Sequence, residues 1–278
     1  MSAVLTLDRL GVRIDDASGA APRDLVHEVS FALQPGERLG DIGESGSGKS
    51  LTALAVLGLL AHPLTPRGSA VLAAPSGHVD VVTASPRRLD RVRASVVSAV
   101  FQEPLASLDP LMRIGKQLEW PFAHHRGLRG EPLRRAVLDA LAEVQLPNPE
   151  RIARSYIHEI SGGQRQRVAI ALALAAEPRL LIADEPTTAL DVTVQAGVLE
   201  LLQREVAERG MALMFISHDL PVVAGITDRV LVMRDGRQVE LAATRTLLTA
   251  PAEDYTRTLV AASRELDAFL PPVEGVAP

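Results

Sequence analysis

The chain has 278 residues, 47% hydrophobic and 23% charged, with a net charge of −5 and no cysteine. This composition is globular, sufficient for one large domain or two lobes, and excludes a disordered, disulfide-stapled or thiolate-metal protein. The acidic balance argues against a non-specific nucleic-acid binder, and the best apolar run, 51–61, is too short to span a bilayer.

Residues 4–7 and 10–14 alternate as edge strands would, 15–23 form a small-residue loop, and alternation resumes over 25–33. No stretch of secretory type is expected at 1–16. Pro35 and Gly36 predict a turn, 37–42 a strand and 51–57 a helix. Between the last two lies Gly43-Glu44-Ser45-Gly46-Ser47-Gly48-Lys49-Ser50: a glycine, four free residues, then Gly-Lys-Ser. Glycines let the backbone wrap closely, so that successive N–H groups point at an anion, and the helix N-terminus adds its positive end. Lys49 can reach terminal phosphates, and the Ser50 hydroxyl can ligate Mg²⁺. Asp41 is a misfit in that strand, because a buried carboxylate must face a polar neighbour or weaken the sheet.

Residues 62–84 read as a Pro/Gly-rich stretch with a short strand at 79–82, and a second strand ends at Gln102. From 105 to about 176 the pattern is mostly helical, with helical spacing over 133–144 and an Ala/Leu-rich helix over 168–176. This block interrupts the α/β alternation and is expected to form its own lobe. His124 and His125 are adjacent and make a poor metal pair, so a solvated surface is the better reading. Ser161-Gly162-Gly163-Gln164 precedes a helix that Ser161 can cap, with the two glycines exposing N–H groups to an anion. Arg165 and Arg167 beyond it suit a helix face or an acidic partner better than nucleic acid.

The continuous apolar run 180–183 predicts a central parallel strand buried on both faces. It ends in Asp184, placed to hold Mg²⁺, and Glu185, placed to polarise an attacking water as general base. A helix over 192–208 leads to another buried strand, 212–216, which ends in Ser217-His218-Asp219. Asp235-Gly236 marks a hairpin, and from 241 the chain reads as a helical tail thinning to a Pro-rich end.

Taken together and in this order, these motifs resemble those of the nucleotide-binding subunit of an ATP-binding-cassette (ABC) transporter, over residues 4–240. Residues 43–50 resemble Walker A, 180–185 Walker B with its catalytic glutamate, and 161–164 the signature motif, with Ile160 where leucine is usual. Gln102 matches the Q-loop glutamine, Ala189-Leu190-Asp191 the D-loop and His218 the switch histidine. The resemblance implies an α/β P-loop NTPase fold with a RecA-like core, an antiparallel β edge and an inserted α-helical subdomain at about 105–176, followed by a tail over 241–278. It implies ATP and Mg²⁺ as ligands, with Ser50, Gln102 and Asp184 at the metal and Glu185, Gln102 and His218 at the chemistry. It also implies head-to-tail pairing with a second cassette, identical or homologous, so that Ser161, Gly162, Gly163, Gln164 and Asp191 meet nucleotide held by the partner's Walker motifs. Gln102 would pass nucleotide status to the helical lobe, which docks integral membrane permease subunits at the cytoplasmic face of the membrane.

The runs 100–110 and 183–195 and Tyr255-Thr256-Arg257 are similar to the peptide and nickel importer branch, which implies a solute-binding protein acting through the permease. Asp254 stands where that branch usually has proline. A soluble ABC ATPase of translation or DNA repair, and an exporter cassette, are the alternatives. The family stacks an aromatic residue on adenine near the N-terminus, whereas here Ile14 sits near that place. The expected consequence is weakened base selectivity, because a lost ring removes about 1 kcal/mol of stacking.

Overall fold

The computed structural model describes residues 2–15, 21–188 and 190–269. The first half of the chain comprises strands β1 (Leu5–Ile14), β2 (Arg23–Leu33) and β3 (Arg38–Ile42), helix α1 (Lys49–Leu57), strands β4 (Leu64–Ala74) and β5 (Gly77–Asp80), helix α2 (Pro86–Val92) and strand β6 (Val97–Val100). Four helices follow: α3 (Ile114–His125), α4 (Gly130–Glu143), α5 (Pro149–Arg154) and α6 (Gly162–Leu174). The α/β alternation then resumes with β7 (Leu180–Asp184), α7 (Val192–Arg209), β8 (Ala212–Ile216) and α8 (Leu220–Ile226). The hairpin β9 (Arg229–Arg234) and β10 (Arg237–Ala243) precedes α9 (Thr244–Thr249) and α10 (Asp254–Phe269).

Among the described residues the strands form one sheet in the order β5-β4-β1-β2-β10-β9-β3-β8-β7-β6. β1 pairs antiparallel with β2 and β4, and a single parallel pair, Arg237 with His27, joins this antiparallel part to the rest. β9, β3, β8, β7 and β6 run parallel, so their carboxyl ends share one edge of the sheet. In an open α/β sheet that edge is where ligands bind.

Burial on both faces makes the central strands continuously apolar, as β7 demonstrates. Leu181 and Ala183 join a core with α3, α4, α6 and α7, while Leu180 and Ile182 join a second core with α1, β1, β2 and β4. The helical block α3–α6 therefore shares its core with one face of the parallel sheet.

Three expectations about elements need correction. The two segments read as edge strands are the single strand β1, which is interior to the sheet, with register shifts between Leu7 and Leu10 and between Leu10 and Val12. The stretch 62–84 contains the 11-residue strand β4, whose Pro66 and Gly68 disguised it as a loop. The tail begins later than 241, because β10 runs to Ala243; its last residues, 270–278, lie outside the described part.

Candidate functional site

The loop between β3 and α1 is built by backbone geometry that side chains would obstruct. Gly43 has φ +155°, and a Cβ there would sit 2.1 Å from the Met233 carbonyl oxygen, so the loop packs directly on β9. Gly46 and Gly48 also take positive φ, and Gly48 occupies the N-cap of α1 with no side-chain cap. The first N–H groups of α1 are thus left for an external acceptor, where the helix dipole favours an anion.

Lys49 is buried, and its Nζ donates to the Gly43 carbonyl at 2.7 Å, the Glu44 carbonyl at 3.0 Å and Ser47 Oγ at 3.4 Å. Its ammonium is therefore held inside the loop. Ser45 and Ser50 are exposed, and the Ser50 hydroxyl donates to Asp184 Oδ1 at 3.1 Å. That contact joins the ends of two parallel strands through their loops. Burial pushes the Asp184 carboxyl up, the Ser50 hydrogen bond opposes this, and the adjacent Glu185 charge pushes it further up. A hydroxyl and a carboxylate, both hard oxygen donors, suit Mg²⁺.

Glu185 follows in a left-handed backbone conformation, φ +46°, uncommon for a residue with a Cβ. Its N–H donates to the Ile216 carbonyl at 2.9 Å, which locks it to the end of β8. Both carboxylate oxygens are engaged: Oε1 meets His218 Nδ1 at 3.2 Å, and Oε2 accepts from Thr188 Oγ1 at 2.9 Å. The strand register brings Glu185 and His218 together across 33 residues of chain. Thr188 was missed by the sequence reading. Its signal was a hydroxyl three residues beyond the glutamate in a Pro-containing turn.

Gln102 lies exposed just beyond β6, which pairs with β7 through Val100 and Ala183. It shares the edge with Asp184, although β6 ends at Val100, two residues before the expected end. Among the described residues Gln102 makes no hydrogen bond to the other site groups.

The signature segment is elsewhere. Ser161 caps α6 with a reciprocal pair: its Oγ accepts from the Gln164 N–H at 3.3 Å, and Gln164 Oε1 accepts from the Ser161 N–H at 3.1 Å. A Cβ on Gly163 would fall 2.5 Å from Val194 Cγ1 of α7, whereas Gly162 has room. No hydrogen bond or ion pair among the described residues connects 161–164 to 43–50. Asp191 caps α7, accepting from the Val194 N–H at 3.0 Å; its D-loop neighbour Ala189 lies outside the described residues.

Other residues have local roles. Arg165 donates to the carbonyls of Ile157 and Ile160, and Arg167 to that of Val144, so both tie the helical block together. His124 stacks on Trp120 with ring centroids 4.7 Å apart, and the His125 ring stands edge-on to both. The adjacent histidines thus share one aromatic cluster on α3 rather than pointing apart.

Asp41 is fully buried, and neither carboxylate oxygen has a hydrogen-bond partner. Burial drives its carboxyl well above the usual range, the Lys49 charge draws it back, and the Asp184 charge adds to the rise. It lies beneath the phosphate-type loop as a buried acid.

A family model described as ABC transporter matches residues 26–188. The peptidoglycan transport ATP-binding protein YejF of Agrobacterium fabrum is 45% identical over 249 residues, covering 88% of this chain and 44% of that protein. The chain thus spans less than half the length of that relative. A Brucella ovis protein provisionally named a peptide import ATP-binding protein is 42% identical over 263 residues, 94% of this chain and 78% of its own. Among solved structures, the dimeric post-hydrolysis state of the ATP-binding cassette MJ0796 with ADP and Pi superposes with TM-score 0.75 at 27% identity, covering 87% of this chain and 99% of that one.

Proposed function

The chain belongs to the ABC transporter family as an ATPase, and on that premise we propose that it powers import of peptides, or of a related small solute, through separate membrane subunits. The observation that carries the coupling is the division of the site. Ser50, Asp184, Glu185 and His218 converge at one sheet edge, while among the described residues no hydrogen bond or ion pair joins the anion-facing start of α6 to these groups. A second cassette, opposed head to tail, completes each site with its own Ser161, Gly162 and Gly163.

In this reading ATP is the substrate, its phosphates held by the N–H groups of 43–50 and by Lys49. Ser50 and Asp184, with Gln102, would hold Mg²⁺, which would neutralise phosphate charge. Glu185 takes the proton of the attacking water as oxygen bonds to the γ-phosphorus and ADP departs. His218 and Thr188 fix the direction of the two carboxylate oxygens, leaving Glu185 little freedom to turn away from the water.

Two features support the transport coupling. The names of the relatives refer to peptide import and peptidoglycan transport. In addition, Leu105, Leu111, Met112 and Trp120 present exposed apolar surface around a groove between β6, α3 and α6, with Leu111 87% and Trp120 60% exposed. Apolar surface of that kind marks an interaction site, and a permease segment fits it. No described helix is long and apolar enough to cross a membrane. In this reading the cassette works at the cytoplasmic face, with a solute-binding protein delivering cargo to the permease.

The test is purification of Glu185→Gln with ATP from solubilised membranes. Co-purifying multi-span permease subunits support the reading. Ribosomes, DNA or no membrane protein in its place would move the chain to a soluble ABC ATPase.

A further inference from the structure

Asp41 is a buried titratable group that the proposed chemistry leaves unused. The register of the parallel strands sets Asp184, Ile216, Asp41 and Leu231 in one row across β7, β8, β3 and β9. Residues in such a row share a face of the sheet. Ile216 and Leu231 belong to the core that α1 covers, so the Asp41 side chain enters that core rather than the one beneath the helical block. It is 0% exposed, and both of its carboxylate oxygens lack a hydrogen-bond partner. The Asp41 backbone is part of the frame of the site, because its carbonyl accepts from the Ser217 N–H at 3.2 Å, next to His218. Two residues further on, Gly43 opens the phosphate loop.

Among the described residues, the charged groups that face Asp41 are Lys49, the first residue of α1, and Asp184 at the end of β7; β8 and β9 present Ile216 and Leu231. In the row, Ile216 stands between Asp41 and Asp184, and the hydrogen bond of Asp184 goes to Ser50. An unpartnered carboxylate in an apolar core is costly when ionised, so burial favours the neutral acid and Lys49 works against it. The Lys49 ammonium is bonded within the loop, to the Gly43 and Glu44 carbonyls and Ser47 Oγ. One ammonium is thus the counter-charge of the buried carboxyl and part of the loop that receives phosphate. An ionised Asp41 draws on Lys49 and sets a like charge beneath the anion. A protonated Asp41 does neither.

We propose that Asp41 is a proton-linked control of the phosphate loop: the loop binds nucleotide tightly while Asp41 carries its proton, and weakly once that proton is lost to solvent. The proposal rests on the reading of 43–50 as an ATP site. Linkage fixes the sign. Bound ATP is a net anion even with Mg²⁺, so it disfavours the Asp41 carboxylate. Binding therefore takes up a proton wherever the empty chain has Asp41 partly ionised, and affinity falls as pH rises through that range.

The test uses the full chain in a Glu185→Gln background, so that ATP persists, with Mg²⁺ in excess, and compares Asp41 with Asp41→Asn and Asp41→Leu. Calorimetry gives the Kd for ATP from about pH 7 to about pH 9.5, above the ordinary carboxylate and histidine values. Repeating each titration in buffers of different ionisation heat counts the protons taken up. Melting without ATP controls for folding, and the apolar leucine variant stands in where a buried amide destabilises the chain. In the parent, Kd is expected to rise about ten-fold across the range, the scale of one buried charge near the anion, with proton uptake on binding. In both variants Kd should change less than about two-fold, and the uptake should vanish. Parallel pH profiles in parent and variants, or equal proton uptake, would assign the titration to another group. A flat profile in the parent would leave Asp41 a structural residue only, and either result overturns the control. A parent chain that binds no ATP at any pH would overturn the underlying nucleotide reading, and this proposal with it.

Discussion

At the scale of single residues, Thr188 and Asp41 make opposite demands on the same edge of the sheet. Thr188 donates to Glu185 Oε2, so it stabilises one orientation of the proposed general base. Replacing it by Val keeps the volume and removes the donor. Thr188→Val is expected to lower kcat about three- to ten-fold with an unchanged KM for ATP, because one hydrogen bond to a charged group is lost away from the phosphates. Steady-state ATPase kinetics decide it; a rise in KM at constant kcat would show that Thr188 serves binding instead. Asp41 brings a cost in stability. Its folded carboxyl titrates well above an unfolded aspartate, so the folded state binds the extra proton. Stability is therefore full below the unfolded pKa and falls as pH rises toward the folded one. Asp41→Asn should match the parent near pH 4 and exceed it by about 1–3 kcal/mol above neutrality. Denaturant melts across that range provide the check, and equal stability at high pH would mean that Lys49 compensates the charge completely.

At the scale of elements, contiguity decided what could be read from sequence. The loop 43–50 and the strand end 184–185 are continuous segments whose chemistry is local, and both stand where they were expected. β7 and β8 were legible because burial on both faces leaves an unbroken apolar run. β4 was not, since Pro66 and Gly68 are turn formers that tertiary pairing with β1 overrides. The seven-residue α2 was too short for periodicity to register. Contacts set by register, such as Glu185 with His218, leave no mark in either segment alone. The demand on Gly163 is of that kind, arising where α6 crosses α7. Gly163→Ala must displace Val194 by about an ångström, a small-to-large strain that typically costs 1–3 kcal/mol. It should lower the melting temperature and disturb the start of α6. Gly163→Ala with Val194→Ala should recover most of the loss; a double variant as unstable as the single one would place the strain in the backbone of α6 instead.

At the scale of the whole molecule, the proposed site is a half-site, and that makes its composition testable without a transporter. If Glu185→Gln runs as a dimer only with ATP, the chain pairs with itself; a monomer under those conditions points to a homologous second chain. Given self-pairing, two inactive variants distinguish a shared site from a private one. Lys49→Ala removes the loop's charge and leaves 161–164 intact, and Ser161→Glu sets a like charge against phosphate and leaves 43–50 intact. In a head-to-tail dimer of the two, one site carries both lesions and the other carries neither. Mixing equal amounts yields mixed dimers in about half of the population, each with one sound site, and so about a quarter of the parental rate. Were each site built within one chain, every site would carry a lesion and mixing would recover nothing. The expected outcome is recovery, because among the described residues no hydrogen bond or ion pair joins the capped start of α6 to 43–50, and a second copy can bring phosphate to it.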